Sequence, residues 1–218
     1  PGRRPAATMA EAGDVAVVPA GLLSQAGLRL AQERAAREDE DAPRLAIVCT
    51  TKQPLWLLTW LRHHRERVGI ERFYLRVEDT PDLAPLLCSE PWAECVEASF
   101  VDCAAGRDYW AQMDRQAQHV REVIPRARRR GLTHLLHIDD DELLFCPHGV
   151  GLLHAQLRAA AAAATAAQLA NLEALLPRED CDDPFVEARA FRHRPSSFAA
   201  YSNGKAIGVL AVPDLAPA

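Results

Sequence analysis

The pattern of apolar and polar residues changes abruptly at residue 44 of this chain. Residues 1–43 are rich in Pro, Gly, Ala and charged side chains and contain few large apolar residues. We expect this segment to be a mobile leader or a poorly packed helix, without stable contacts to the domain. From Leu45 to Thr50 a continuous apolar run has the length of a strand that is covered on both faces. The pattern therefore divides the chain into a leader, 1–43, and a domain, 44–218.

Within the domain, runs with strand character alternate with segments of helical spacing. Further strands are predicted over residues 73–77, 95–101, 133–138, 143–145, 186–191 and 206–212. Helices are predicted over residues 54–69, 109–124 and 152–176, the second interrupted by Pro125 and the third rich in alanine. This alternation predicts an α/β fold, a mostly parallel sheet with helices on both faces. Ligands of such sheets bind beyond the carboxyl ends of the strands.

The run Asp139-Asp140-Asp141-Glu142 follows the apolar strand 133–138 directly. Adjacent carboxylates at the end of a buried strand repel one another unless a cation is bound there. Oxygen ligands without nearby cysteine favour Mg²⁺ or Mn²⁺. Because side chains alternate along an extended chain, Asp139 and Asp141 should point the same way and Asp140 the other way. The alternative is a solvated turn.

The amino-acid composition and net charge indicate which kinds of binding partner this protein suits. The 218 residues are 49 % hydrophobic, enough for one substantial core, and 25 Lys and Arg against 30 Asp and Glu give a net charge of -5. That balance argues against a surface that binds nucleic acid. Six scattered cysteines form no zinc motif, and three of them lie in apolar segments as expected of small buried side chains. No stretch has the length and hydropathy of a membrane span.

The strand Ile47–Cys49 is followed by Trp60–His64, then by Val68–Tyr74 and the later Gln116 and Gln118, and finally by His137–Leu143 with its Asp-x-Asp-Glu motif. These segments, in this order, resemble the glycosyltransferases of GT-A fold, especially the family 2-like and family 92-like group. The resemblance covers residues 44–146 and, more faintly, Asn203–Ile207.

The resemblance implies a Rossmann-like domain that moves a sugar from a nucleoside-diphosphate sugar, UDP-sugars above all, to a hydroxyl of a glycan or another acceptor. It implies that Asp139 and Asp141 bind Mn²⁺ or Mg²⁺ and, through it, the donor diphosphate. Residues implied near the nucleoside are Thr50, Thr51, Glu78 and Asp79. Lys205 is placed to steady a phosphate as a point charge, with a solvated turn lysine as the alternative.

The chain departs from the family pattern at several positions, and the sequence does not identify the catalytic base. His134 replaces an aromatic residue, Leu143 replaces a Phe, and the chain stops at Ala218, before a later His of the family, so either the domain is truncated or its active site is incomplete. Candidate bases in the second half are Asp182, Asp183 and Glu187, and each is also an ordinary surface carboxylate. The Golgi or another secretory lumen is the expected location if an anchor precedes Pro1.

Two functions other than that of an active transferase are also consistent with the sequence. An aspartate-nucleophile phosphatase also has Asp-x-Asp after an apolar strand, although Leu143 stands where it needs a small residue. A transferase-like domain that binds a nucleotide without catalysis is the third possibility. His63 and His64 are expected to be structural, and the arginines of Arg126–Arg130 to be a solvated helix end.

Overall fold

The computed structural model describes residues 15–17, 42–103, 109–176, 178, 180–199 and 204–211. Its strands are β1 Val15–Val17, β2 Leu45–Thr51, β3 Arg72–Glu78, β4 Val96–Val101, β5 His134–His137, β6 Ala166–Leu169, β7 Glu173–Leu175, β8 Ala190–Arg192 and β9 Lys205–Val209. Its α-helices are α1 Leu57–Arg62, α2 Ala84–Leu87, α3 Tyr109–Arg129, α4 Val150–Ala161 and α5 Pro184–Glu187. A π-helical segment, His63–Val68, continues α1, and 3-10 turns lie at Pro81–Leu83 and Pro195–Ser197.

Seven strands form one sheet in the order β1-β6-β9-β5-β2-β3-β4, and β7 and β8 form a separate antiparallel ribbon. Strand β2 pairs in parallel with both β3 and β5, so the predicted neighbourhood of these three strands is confirmed. Strand β9 is antiparallel to both of its neighbours, and the other pairs are parallel. The predicted mostly parallel sheet is therefore confirmed.

Helices cover both faces of the sheet, as predicted. Apolar residues of β2 are fully buried because alternate side chains enter two different cores. Ile47 packs with residues of α1 and α4 on one face. Val48 packs on the other face against α3, whose buried Val120, Val123 and Ala127 recur at helical spacing. The sheet thus has no solvated face at its centre.

The predicted helix over 152–176 is wrong in its second half. Helix α4 ends at Ala161, and the chain then enters β6 and β7. Ala167 of β6 is buried, and this strand is hydrogen-bonded between β1 and β9. Pairing with two distant strands outweighs the intrinsic helical preference of alanine, which amounts to only about 1 kcal/mol per residue or less.

Two other boundaries also differ from the prediction. Pro125 does not end α3, which continues to Arg129. The cost of an internal proline, about 3 kcal/mol, is offset by contacts beyond it, since Ala127 is buried and Arg128 Nε donates to the Leu210 carbonyl over 2.6 Å. The segment 143–145, predicted to resume a strand, is a loop.

The predicted strand over 186–191 is a short helix followed by β8. Asp183 is the N-cap of α5 and accepts a hydrogen bond from the Phe185 amide, while Pro184 stands in the first turn. These are helix-starting features. Strand character therefore begins only at Ala190.

Most of the predicted leader, 1–43, lies outside the described residues. Within it, Val15–Val17 pairs in parallel with Ala166–Gln168 at the edge of the sheet. The expectation that this segment makes no contact with the domain is wrong for these three residues, and the leader boundary stays a prediction. Among the described residues, no helix has the length and apolar character needed to span a membrane.

Candidate functional site

The carboxyl ends of β2, β3 and β5 open on one edge of the sheet. Their register places Val48 opposite His137 and Thr51 opposite Val77, so the loop after β5 begins beside the end of β2. This is the edge at which parallel sheets bind their ligands. The acidic run 139–142 lies here.

Asp139, Asp141 and Glu142 form an acidic cluster in which one ligand oxygen of each lies within 4.8 Å of the others. The grouping was expected from the alternation of side chains along an extended chain. That reason is wrong, because the chain does not stay extended. It turns after β5, with the Glu142 amide 3.3 Å from the Asp139 carbonyl and the Asp139 amide 3.2 Å from Glu142 Oε2. Asp140 faces elsewhere and accepts a hydrogen bond from the Thr51 hydroxyl.

Lys205, at the start of β9, reaches the acidic cluster. Its Nζ lies 2.6 Å from Asp139 Oδ2 and 3.0 Å from Glu142 Oε2. The reading of Lys205 as a solvated turn lysine is therefore wrong. An ammonium group here offsets repulsion that the carboxylates would otherwise suffer.

The neighbouring Gly204 explains how Lys205 reaches this position. Its φ is +63°, and a Cβ at this residue would lie 2.0 Å from the Leu169 carbonyl oxygen. Only glycine permits both the conformation and this close approach of β9 to the end of β6. The geometry of the cluster thus depends on a backbone contact far from it in sequence.

Burial and neighbouring negative charges raise the pKa values of two carboxyl groups in the acidic run. Burial raises the pKa of Asp141, and the charges of Glu142, Asp139 and Asp140 raise it further. Burial also raises the pKa of Asp140, partly offset by its bond from Thr51. Three convergent carboxylates without a sulfur or imidazole ligand among them suit a hard divalent ion. The residues present therefore fit Mg²⁺ or Mn²⁺.

Helix α1 and its π-helical extension hold the acidic loop in place. Trp60 Nε1 donates to the carbonyls of Asp139 and Glu142 over 3.1 and 2.8 Å. His64 Nε2 accepts from the Leu144 amide over 3.1 Å while its Nδ1 lies 2.9 Å from the Trp60 carbonyl, which fixes the neutral tautomer. Burial lowers the pKa of His64 to about 3. His64 thus has the structural role expected for it.

Glu78 is buried at the end of β3 and is bound by two arginines. Arg76 Nε and Arg115 Nε each lie 2.9 Å from its Oε1. Burial alone would raise the pKa of Glu78, but its bonds from Arg115 and Arg76 outweigh burial and lower it. The carboxylate implied to contact a nucleoside is thus held within an internal ion-pair network.

The other residues implied near the nucleoside lie at the same edge. Asp79 has a φ of +49°, accepts from the Cys103 amide over 2.7 Å and pairs with Lys52 at 2.5 Å. Thr51 contacts Asp140, and the Thr50 hydroxyl lies 3.4 Å from His119 Nδ1. These side chains border the acidic loop on the β2 and β3 side.

The candidate bases have local structural partners. Asp183 caps α5 and accepts from the Thr59 hydroxyl over 2.7 Å. Glu187 Oε1 accepts from the Asp182 amide over 2.7 Å and from the Asp183 amide over 3.1 Å. The Asp182 side chain is 96 % exposed beside Arg178. None of the three approaches the acidic cluster through a hydrogen bond recorded in the described residues.

Two sets of side-chain contacts were not assigned from the sequence, one at the site and one remote from it. Gln116 of α3 is buried and donates to Asp139 Oδ1 over 3.2 Å, which orients that carboxylate. Of the arginines after Pro125, expected to lie at a solvated helix end, Arg129 and Arg130 are exposed as expected, and Arg126 and Arg130 also pair with Glu97 of β4. A glutamine on the buried face of an amphipathic helix was the available signal for the first.

A cavity of about 560 Å³ adjoins the acidic cluster. It lies between the loop after β5, helix α4, the β7–β8 ribbon and the start of β9. Asp141, Glu142 and Lys205 form one part of its wall, and apolar residues, chiefly leucine, phenylalanine, alanine and proline, form most of the rest. This volume is within the range of small-molecule sites.

Comparison with known proteins gives a related sequence and, among the solved structures, distant similarities of which two are described below. No protein-family model matches the chain. A curated protein described as glycosyltransferase-like At2g41451, from Arabidopsis thaliana, is 26 % identical over 206 residues, which cover 75 % of this chain. The match spans 45 % of that relative, a little under half of its length.

The two solved structures are 4-diphosphocytidyl-2C-methyl-D-erythritol synthases. One, from Anaerococcus prevotii, has a TM-score of 0.41 at 11 % identity, covering 78 % of this chain and 72 % of its own. The other has a TM-score of 0.39 at 12 % identity, covering 77 % and 75 %. Neither score is high enough to establish a shared fold or function.

Proposed function

We propose that this chain is the nucleotide-sugar-binding core of a metal-dependent glycosyltransferase. Its reaction would move a sugar from a nucleoside-diphosphate sugar to a hydroxyl group. The observation that carries the proposal is the convergence of Asp139, Asp141 and Glu142 at the carboxyl edge of the parallel sheet, beside a ligand-sized cavity. The glycosyltransferase-like relative supports the same class.

In this proposal the acidic cluster holds Mn²⁺ or Mg²⁺. When bound, the ion supplies positive charge that neutralises the leaving nucleoside diphosphate. Gln116 keeps the Asp139 carboxylate oriented, and Trp60 fixes the loop backbone on either side of the turn. Lys205 contacts the same carboxylates and is therefore placed to move its charge toward a diphosphate that arrives there.

The nucleoside is proposed to lie along the ends of β2 and β3. Thr50, Thr51 and Asp79 border the acidic loop on this side and carry hydroxyl and carboxylate groups that suit a ribose or a uracil. Glu78 has a different part in this proposal. Because both arginines bind it, it is proposed to stiffen the end of β3 and not to touch the ligand.

A nucleotide-binding domain without catalysis is the second candidate. The specific observation in its favour is that Asp183 and Glu187 serve as backbone acceptors around α5. A transferase needs a carboxylate that takes the acceptor proton. In that case nucleotide binding would still depend on the metal, and transfer would be absent.

The decisive test is calorimetric titration of the chain with UDP in Mn²⁺ and in EDTA. Binding should be coupled, because the cation joins the carboxylates and the diphosphate supplies the oxygens that the cation still lacks. Asp139→Asn and Asp141→Asn should abolish the metal-dependent part of UDP binding and leave the fold intact. Asp140→Asn should cost less, since Asp140 faces Thr51.

Glu122→Gln provides the matched control, because it also removes one negative charge from an exposed position of α3. It should leave UDP binding unchanged. Equal UDP affinity in Mn²⁺ and in EDTA would overturn the metal-bridge proposal, as would a loss of binding in Asp140→Asn alone. Metal-coupled UDP binding without transfer to any acceptor would select the non-catalytic candidate.

A further inference from the structure

The cavity beside the acidic cluster has one polar end. The charged residues that line it are Asp141, Glu142 and Lys205, which belong to the cluster or contact it. Its floor is apolar and buried, with Ile138, Leu152 and Leu153 among the lining residues. The polar side chains of His63, His148, Gln156 and Asn171 also line the cavity, and most of the remaining lining is apolar. A ligand in this cavity therefore meets charged partners at one end and mainly apolar walls elsewhere.

Large apolar side chains at the same cavity are exposed to solvent. Phe145 is 58 % exposed, Phe191 is 47 % exposed and Leu172 is 40 % exposed, and all three line the cavity. The rings of Phe145 and Phe191 stack with centroids 6.4 Å apart and an interplanar angle of 15°. Exposed apolar side chains grouped around a cavity mark a binding site more often than isolated ones do.

We infer that this cavity binds the acceptor, and that the acceptor is an amphiphile that carries its reacting hydroxyl on an alkyl or aryl body. The inference rests on the proposed function, because it assigns the cavity to the second substrate of that reaction. The hydroxyl lies at the Asp141 and Glu142 end, and the apolar body lies between α4 and the β7–β8 ribbon.

A bare oligosaccharide fits this cavity less well. Its hydroxyl groups need hydrogen-bond partners along the whole length of the chain, and each unpaired group costs free energy when it leaves water. The walls away from the acidic cluster are mostly leucine, phenylalanine, alanine and proline. Burial of hydrocarbon against such walls is favourable in proportion to the area removed from water.

The test uses methyl, butyl, hexyl and octyl β-D-glucoside, each below its micellar concentration, as probes that differ only in apolar length. Affinity is measured in EDTA without nucleotide, so the donor site does not contribute. Each methylene that enters the cavity should raise affinity about threefold to fourfold, until the cavity is full. Replacing both rings, Phe145→Ala with Phe191→Ala, should reduce octyl glucoside affinity roughly tenfold.

Two controls fix the location of binding. Phe100→Ala removes an exposed ring from the edge strand β4, outside the cavity lining, and should leave the series unchanged. Cys146 lines the cavity and Cys88 does not. Octyl glucoside should therefore slow alkylation of Cys146 and not of Cys88, as read by peptide mass spectrometry.

The outcomes separate this inference from the proposed function. Equal affinity for the four glucosides, or the same loss of affinity in Phe100→Ala, overturns the apolar cavity even when UDP binds with Mn²⁺. The reverse result, rising affinity along the series without metal-coupled UDP binding, would overturn the proposed function, and the assignment to an acceptor would fall with it. Asp139→Asn should abolish UDP binding and preserve the glucoside series, which shows that the two sites fail independently.

Discussion

At the scale of single residues, the geometry of the site depends on contacts between positions far apart in sequence. Lys205 and Asp139 are joined by an ion pair of 2.6 Å, and Gly204 lets the backbone approach Leu169 closely enough for that pair to form. Gly204 and Lys205 belong to a short segment whose own residue pattern does not predict these contacts. Gly204 therefore matters because of the backbone conformation that it permits, and Lys205 because of the position that this conformation gives it.

Gly204→Ala should destabilise the protein and displace Lys205. The positive φ of Gly204 and the contact with the Leu169 carbonyl together should cost roughly 3 kcal/mol of unfolding free energy. Urea denaturation followed by circular dichroism measures this loss. Gly69→Ala is the matched control, because its φ is +79° but nothing lies within 4 Å of the added Cβ. Equal losses in the two variants would show that the close approach has no energetic weight.

At the scale of elements, α1 and its π-helical extension act as a support for the acidic loop. Trp60 and His64 bond to three backbone groups of residues 139–144, and His63 Nε2 lies 2.9 Å from the Leu144 carbonyl. The loop after β5 has no regular structure of its own. Its conformation therefore follows from the helix that packs beneath it.

His64→Leu should test this support. The variant leaves the buried Leu144 amide without its acceptor, and an unpaired buried donor costs about 1–3 kcal/mol. His63→Leu is the control, because His63 is half-buried and its bond to the Leu144 carbonyl is only partly buried, so the loss should be roughly 0.5–1 kcal/mol. Thermal denaturation of both variants gives the comparison. A smaller loss in His64→Leu than in His63→Leu would contradict the supporting role.

At the scale of the whole molecule, several histidines are buried in neutral form on both sides of the sheet. Burial lowers the pKa of His64 to about 3 and the pKa values of His119 and His134 to about 4. The unfolded chain has ordinary histidine pKa values near 6.5. Below that pH the unfolded state binds protons that the folded state does not, so the free energy of unfolding decreases as the pH falls.

We therefore expect stability to be nearly constant from pH 8 to 7 and to decrease between pH 6.5 and 4.5. The decrease should be on the order of 1 kcal/mol per histidine for each pH unit in that window. Urea midpoints measured at half-unit intervals of pH give the slope. His119→Phe should reduce the slope by about one proton. A stability that does not change between pH 7 and 5 would contradict the neutral burial of these histidines.

The features that local patterns of residues encode could be predicted before the fold was known. The apolar run at Leu45 and the alternation after it led to the parallel neighbours β2, β3 and β5, because burial of a strand on both faces leaves a continuous apolar run. The acidic run was placed at the carboxyl edge for the same reason, since it directly follows such a strand. The resemblance to glycosyltransferases added the residues to inspect, and their binding roles stay predictions.

The remaining features follow from the three-dimensional fold, because they depend on pairings between segments that are distant in sequence. The alanine-rich stretch became β6 through its bonds to β1 and β9, and Pro125 was accommodated because α3 has partners beyond it. The placement of Lys205 on the acidic cluster and the apolar cavity beside it have the same origin. Local propensity contributes about 1 kcal/mol or less per residue, and sheet pairing and burial summed over an element exceed it.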